Sequence, residues 1–449
     1  GAGRVGFTIA KQLSEQGHSI TVIDTSSEDI QKIDDALDVK AIVGKATYPS
    51  ILEKANASEA DMIIAVTRND EINMLICQIA FSTFKVQKKI ARIRSQDYLN
   101  PKFIQLYSKE NLPIDVIISP EIEIAKSLQR KLEAPGALDN VPFANNKIRL
   151  LEVLINENCP LINIKLNELT KKFPKLDSNI MGVIRNDKFI VLKKNDVMLK
   201  DDRAYIAINA SQMQDTLNAF GHNEKISNKI LIIGGGNIGF NLAKNIEQSF
   251  EDARLKIIEK DKKRAEIIAN ELNNTIVING NGLDEDILAE VNLEDVETVI
   301  ALTNDDEDNL MASVLVEKFS ENKRTMALTN KPNYSLLQNS LKIDDLIDPR
   351  MTTVSSILKH IHKGTIENAY SILNGDYEVI EAEIIETSDL INKELSNSNL
   401  PDEIRIGAVL RNNEIIIPRS NFVFKKKDSI VLIAKKDQLP TVESMFRLS

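Results

Sequence analysis

Two hydrophobic rhythms alternate along this 449-residue chain. In the first, a short apolar run is followed by a longer segment with helical spacing. Ile230, Leu231, Ile232 and Ile233 are consecutive, which suits a strand buried on both faces of a parallel sheet. Leu242, Ala243 and Ile246 then fall on one helical stripe. Near the start the same rhythm predicts strands at 19–23, 40–43, 62–67 and 90–94, with helices at 27–37, 48–56 and 70–84 between them. Strands joined by helical crossovers imply parallel pairing, hence a doubly wound α/β sheet. This rhythm fills 1–136 and returns over 226–364. The second rhythm, in 137–225 and 365–449, has shorter alternating runs: Leu151–Ile155, Met181–Ile184, Ile190–Leu192 and Tyr205–Ile208, then Val379–Ile385, Ile406–Leu410, Ile415–Ile417 and Ile430–Ile433. Asn186-Asp187 and Asn412-Asn413 stand at hairpin positions, and both segments read as small α+β domains.

The chain is therefore a duplication with a period of about 230 residues, far longer than the repeat of a solenoid. Gly1, Gly3 and Gly6 match Gly234, Gly236 and Gly239, and Asp24 matches Glu259. Gly44 matches Gly280. Ala65–Glu71 (AVTRNDE) matches Ala301–Glu307 (ALTNDDE), Asn73 matches Asn309, and Tyr98 matches Tyr334. Pro120 and Pro349 sit where a final helix takes proline in its first turn. The stripes behind them (Ile122, Ala125, Leu128, Leu132; Val354, Ile357, Leu358, Ile361) read as interface or core contacts.

The glycine trios carry the candidate chemistry. In G-x-G-x-x-G the first glycine permits the tight turn, the second admits a pyrophosphate to the backbone, and the third lets helix and strand pack closely. Phosphates would sit on the helix N-terminus, beside Arg4 and Val5 in copy one and Asn237 and Ile238 in copy two. Glu259 closes the following strand, where a carboxylate accepts both ribose hydroxyls; Asp24 holds the same place in copy one. A carboxylate there repels a 2′-phosphate, so copy two is expected to take NAD or NADH over the phosphorylated forms. A vestigial structural turn is the competing reading. No strand precedes Gly1, and a sheet does not begin at its phosphate loop, so about six residues of strand are expected upstream.

The copies differ in charge. Arg4, Arg68, Arg92 and Arg94 stand opposite Asn237, Asn304, Leu328 and Asn330. On a strand 90–94, Arg92 and Arg94 would share one face near its carboxyl end. Copy one is thus expected to favour ATP or ADP, unless the arginines are solvated or pair with Asp70, Glu71 or a neighbouring subunit.

A net charge of −10 argues against general nucleic-acid binding. No apolar run reaches the roughly 20 residues that span a bilayer. Cys77 and Cys159 form no C-x-x-C pair and read as reduced core residues. A nicotinamide-dependent dehydrogenase would need a placed acid or base. His18, His222, His360 and His362 are the only histidines, and none repeats between the copies.

Two Rossmann-like halves, each followed by a small β-rich domain, resemble the TrkA family of Trk-system regulatory proteins, built from two tandem RCK (KTN) domains. The resemblance covers essentially the whole chain. Its most specific features are the duplicated glycine loop, the glycine after the third strand, and Thr-x-x-Asp-Glu-x-Asn after the fourth. It implies nucleotide contacts from Thr67, Asn69 and Glu71, and from Thr303, Asp305 and Glu307. The family commonly places aspartate after the third-strand glycine, where this chain has Lys45 and Asn281. It further implies a non-enzymatic, cytosolic homo-oligomer, a dimer or tetramer ring, docked under a TrkH/TrkG-like potassium-transporting subunit that nucleotide gates. The small domains would be RCK C-terminal-like ligand-sensing or dimerisation modules; a purely structural role stays open for them. A dehydrogenase and a nucleotide-binding scaffold unrelated to transport remain the alternatives.

Overall fold

A computed structural model describes the chain except residues 16, 173–177, 320–322, 339, 359, 361–365, 374–375 and 447–449. Ile361 and His362, singled out above, lie outside the described residues. The chain forms two compact units. One joins 1–129 to 227–357 and holds both doubly wound sheets; the other joins 130–226 to 358–449 and holds both small sheets.

In the first unit, copy two has a six-stranded parallel sheet. Its order is Ile276–Asn279, Arg254–Glu259, Lys229–Ile233, Thr298–Ala301, Arg324–Leu328, Asp345–Ile347. The strand order reverses at Lys229–Ile233, the switch point where such sheets bind ligands. Ile230–Ile233 are buried, as the unbroken apolar run requires. The helix Asn237–Ser249 turns Gly239, Leu242, Ala243 and Ile246 inward, the stripe expected of it.

Copy one repeats this architecture in two pieces. Thr21–Asp24 pairs in parallel with Lys40–Val43, and Met62–Ala65 with Lys88–Arg92, which pairs in turn with Val116–Ile118. Among the described residues no strand joins the two pieces. An apolar slot of about 220 Å³ runs between them, lined by Ile9, Ala10, Val22, Ile64, Ala65 and Leu52. It lies where Lys229–Ile233 bridges the sheet of copy two.

Several element ends differ from expectation for identifiable reasons. The strand expected at 90–94 stops at Arg92, because Asp70 Oδ2 captures the N–H groups of Arg94 (2.8 Å) and Ser95 (2.8 Å). The helix expected over 48–56 spans only Pro49–Lys54; the chain then leaves through Asn56 at φ 59°, a left-handed conformation that asparagine tolerates. Asn292, at φ 51°, repeats that exit in copy two. The closing helices Pro120–Glu133 and Pro349–Leu358 begin on their prolines, and Ala125, Leu128, Val354 and Ile357 are fully buried. The Ser356 hydroxyl donates to Glu123 Oε2 (3.0 Å), so these two helices meet within the unit.

In the second unit both small sheets are antiparallel with one topology. Ala137–Phe143, Ile148–Leu154, Arg203–Asn209, Ser178–Arg185, Lys188–Ile190 correspond to Ile366–Ile372, Tyr377–Glu383, Ser429–Lys435, Ile404–Arg411, Glu414–Ile416. Asn186-Asp187 (φ 51° and 57°) and Asn412-Asn413 (φ 48° and 73°) make the expected tight turns, positive at both central residues. The edge strand Ala137–Phe143 and its counterpart Ile366–Ile372 are additional to the runs read from the sequence. The two sheets share one core: Phe143, Leu150 and Ala207 pack in a single cluster with Val379, Ala408 and Val431. Gly407 sits at the closest approach, since a Cβ there would lie 2.7 Å from that of Ala207.

Candidate functional site

The loop between Lys229–Ile233 and Asn237–Ser249 distributes its glycines by function. Gly234 has φ 108°, and a Cβ on it would fall 2.8–2.9 Å from the Leu302–Thr303 backbone. Only glycine fits that turn. A Cβ on Gly239 would stand 2.1 Å from Gly234 O, so helix and strand touch there. Around Gly236, by contrast, a Cβ would meet nothing within 4 Å among the described residues. Gly236 is also the helix N-cap and offers no side chain to the first-turn N–H groups. A glycine with no steric need inside the fold, at a helix start facing a cleft, fits the approach of a phosphate group.

Across the loop stands Glu259. Its Oε2 accepts the Gly235 N–H (2.7 Å) and its Oε1 the Asp261 N–H (2.8 Å). Those bonds fix the carboxylate at the cleft and leave further lone pairs on each oxygen for hydroxyl donors. The cleft, about 300 Å³, is bounded by Gly234, Gly236, Glu259, Gly280, Asn281 and Thr303.

Copy one repeats the loop at the head of the helix Arg4–Glu15. A Cβ on Gly6 would overlap Gly1 O at 1.8 Å, while around Gly3 nothing described lies within 4 Å. Asp24 Oδ2 accepts the Ala2 N–H (2.6 Å) and Oδ1 that of Ser26 (3.0 Å). Burial pushes the Asp24 carboxyl upward, but the backbone donors of Ala2 and Ser26 outweigh it and hold the group below its ordinary range.

The motif after the fourth strand shapes the rim from within. Asn73 Oδ1 accepts the Thr67 N–H (2.9 Å) and hydroxyl (2.7 Å), and its Nδ2 donates to Thr67 O (3.2 Å) and Arg92 O (2.8 Å). Asn309 does the same for Thr303 and Leu328 O. Asn69 and Asp305 cap the next helix by accepting the N–H groups of Ile72 (2.7 Å) and Asp308 (2.9 Å). Glu71 accepts the Tyr98 hydroxyl (3.1 Å), and Glu307 engages Lys331 and Tyr334. Of the three copy-two motif residues named as nucleotide contacts, Thr303 lines the cleft, whereas Asp305 and Glu307 do not bound it.

The copy-one arginines divide. Arg92 is turned inward and donates to Thr67 O (2.8 Å); burial, then repulsion from Arg94, pulls its guanidinium below the ordinary value. Arg94 lies past the strand end and pairs with Glu121 (2.9 Å) while staying half exposed. The two therefore do not share a strand face. Arg68 and Arg94 instead border a hollow of about 350 Å³ that reaches Asn237, at the head of the copy-two helix.

Sequence reasoning missed Arg264, and it singled out Asn73 and Asn309 as motif positions without the rim-shaping role described above. Arg264 lines the copy-two cleft and donates from Nε to Gly235 O (2.9 Å). In the sequence it ends a charged run, Lys260–Arg264, that looks like any solvated helix start. The asparagines are visible only as a repeated position. His222 does not bound the cleft; it belongs to the unit of small sheets, as does Leu154, whose carbonyl oxygen lies 2.9 Å from its Nε2.

With this geometry in place, comparison with known proteins settles the lineage. A family model described as the TrkA-N domain matches residues 1–120 and 230–349, and one described as the TrkA-C domain matches 150–221 and 379–447. The chain belongs to the TrkA family. A "Trk system potassium uptake protein TrkA" of Azorhizobium caulinodans is 40% identical over 100% of this chain and 98% of its own length. Its namesake from Vibrio alginolyticus is 33% identical over the same shares, and a TrkA homolog of Methanosarcina mazei is 31% identical over 100% and 99%. Among solved structures, the GsuK channel bound to NAD aligns with a TM-score of 0.60 over 99% of this chain and 77% of that one. The GsuK RCK domain aligns at 0.58 over 99% and 93%. Both are 16% identical, so they bear on the fold, and they agree with the α/β reading of paired Rossmann-like and small α+β domains.

Proposed function

We propose that this TrkA-family chain is a nucleotide-sensing regulatory subunit that controls a separate, TrkH/TrkG-like potassium-transporting membrane protein from its cytoplasmic face. The observation that carries the reading is the copy-two cleft: an open Gly236 at a helix start, opposite a carboxylate fixed by two backbone donors. Its full-length relatives are named as Trk-system potassium uptake proteins. No described helix is long and apolar enough to cross a membrane, and the reading assigns conduction to the partner. No reaction is assigned to the chain itself.

Copy two takes NAD or NADH, with Glu259 on the adenosine ribose. Copy one takes ATP or ADP, helped by the cations Arg68 and Arg94. The chain works as a homo-oligomeric ring, and nucleotide acts by binding one ring state more tightly than the other. Calorimetry tests the assignment. NADH is expected to bind more tightly than NADPH, and equal affinities would remove Glu259 from the ribose. Arg94→Ala is expected to weaken ATP about ten- to a hundred-fold, the worth of one charge-assisted hydrogen bond. Potassium uptake in cells lacking the chain, restored by wild type but not by Gly236→Val, tests the regulatory role.

A further inference from the structure

The copy-two cleft holds a cation, Arg264, that the nucleotide contacts described so far leave without a role. Arg264 stands in the first turn of the helix Lys262–Glu271, where its N–H is capped by Asp261 Oδ1 (2.7 Å). Its side chain is fixed twice more. Nε donates to Gly235 O (2.9 Å), and Cζ lies 5.4 Å from the centroid of the Phe240 ring. Arg264 borders the cleft and Phe240 does not, so the ring backs the guanidinium from outside.

We propose that Arg264 is the adenine platform of the second site, with the base stacked between the guanidinium and the cleft wall at Gly280–Gly282. The inference rests on the nucleotide reading above. Gly235 links the parts: its N–H holds the carboxylate of Glu259, and its C=O holds Arg264. A ribose on Glu259 therefore places its base beside the guanidinium. That group is planar and weakly hydrated, and it stacks on aromatic faces at low desolvation cost. Phe240 supplies the second aromatic layer and keeps the plane from swinging away.

Copy one lacks the device. Asp29 holds the position of Arg264, five residues past the ribose acid, and its N–H goes to Ser26 Oγ (3.2 Å). Phe7 corresponds to Phe240 but has no cation from that position to back. The second site thus grips the adenine end of its ligand, whereas the first depends on phosphate charge.

The test uses the full chain carrying Gly3→Val, so that the second site is read alone, and titrates ADP, NADH and NADPH calorimetrically. Arg264→Gln and Arg264→Lys are each expected to weaken ADP and NADH by a common factor of about ten, with an unchanged melting temperature. Lysine keeps the charge without the plane, so its failure to rescue is the signature of stacking. Unchanged ADP and NADH affinity in both variants overturns the platform. Full rescue by lysine, or a loss confined to NADPH, also overturns it and makes Arg264 a phosphate anchor. Absence of ADP and NADH binding in the parent chain overturns the nucleotide reading itself, which a loss seen only in the variants does not.

Discussion

Two glycines of one loop, three residues apart, have opposite physical duties. Gly239 is glycine because the fold leaves no room: a methyl there would overlap Gly234 O. Gly236 has room to spare. Gly239→Val is therefore expected to destabilise the chain by more than about 3 kcal/mol, by forcing helix and strand apart. Gly236→Val should leave the melting temperature within a degree or two and abolish nucleotide binding at that site. Thermal denaturation with parallel calorimetry separates the two, and matching stability losses would show that Gly236 serves the fold. The cysteines give a second check at this scale. Burial raises the Cys77 thiol to about 12 and moves Cys159 upward as well. At pH 8 both are protonated, so neither is expected to react with iodoacetamide until the chain is unfolded, as intact mass would record.

At the scale of elements, one carboxylate ties the phosphate-loop helix to the turn beside it. Glu247, near the end of Asn237–Ser249, accepts the N–H groups of Asn273 (3.1 Å) and Asn274 (2.8 Å) and the Thr275 hydroxyl (2.6 Å). Burial acts to raise the group, but these donors prevail and its value falls below 4.5. The stabilisation is thus complete above the unfolded value of 4.5 and fades as pH falls through the lower, folded value. Urea denaturation of Glu247→Gln is expected to show lower stability than wild type at pH 7 and a shallower loss below pH 4.5; parallel acid limbs would refute the link. Such ties are also where the sequence was hardest to read. Ile230–Ile233 and the duplicated glycines announced strand, turn and cleft directly, because a buried strand needs unbroken apolar residues. Strand ends were not legible: Arg92 and Arg94 read as one strand, but Asp70, remote in sequence, takes the N–H groups of Arg94 and Ser95. Ala137–Phe143 was hidden because Asp139, Asn140 and Pro142 break the alternation, which an edge strand tolerates. Arg264 was illegible for another reason: its partner is a backbone carbonyl brought near only by the fold.

Across the whole molecule, like domains associate with like within each compact unit, although they are about 230 residues apart in the chain. In the unit of small sheets the close approach at Gly407 predicts a global effect from one residue. Gly407→Val would press on Ala207 and Met181 from the other sheet. A loss of about 1–3 kcal/mol is expected from overpacking. It should appear by calorimetry in the transition of 130–226 and 358–449 together, since they share one core. Separate melting of the two small domains would contradict a common core.

That common core joins two related surfaces carried on a single polypeptide. Had the halves been separate identical chains meeting about a two-fold axis, every substitution would appear on both sides of the contact and its energetic effect would count twice. Covalent fusion removes that doubling. Each half accumulates its own changes, tested one at a time, while the tether holds the partner at high effective concentration. Glu381 shows the result. It accepts the Ala144 N–H across the junction (3.0 Å) beside the small Ser429, whereas its counterpart Glu152 is engaged by Arg203. An arrangement built from identical chains would have to place the same pair of side chains in both positions.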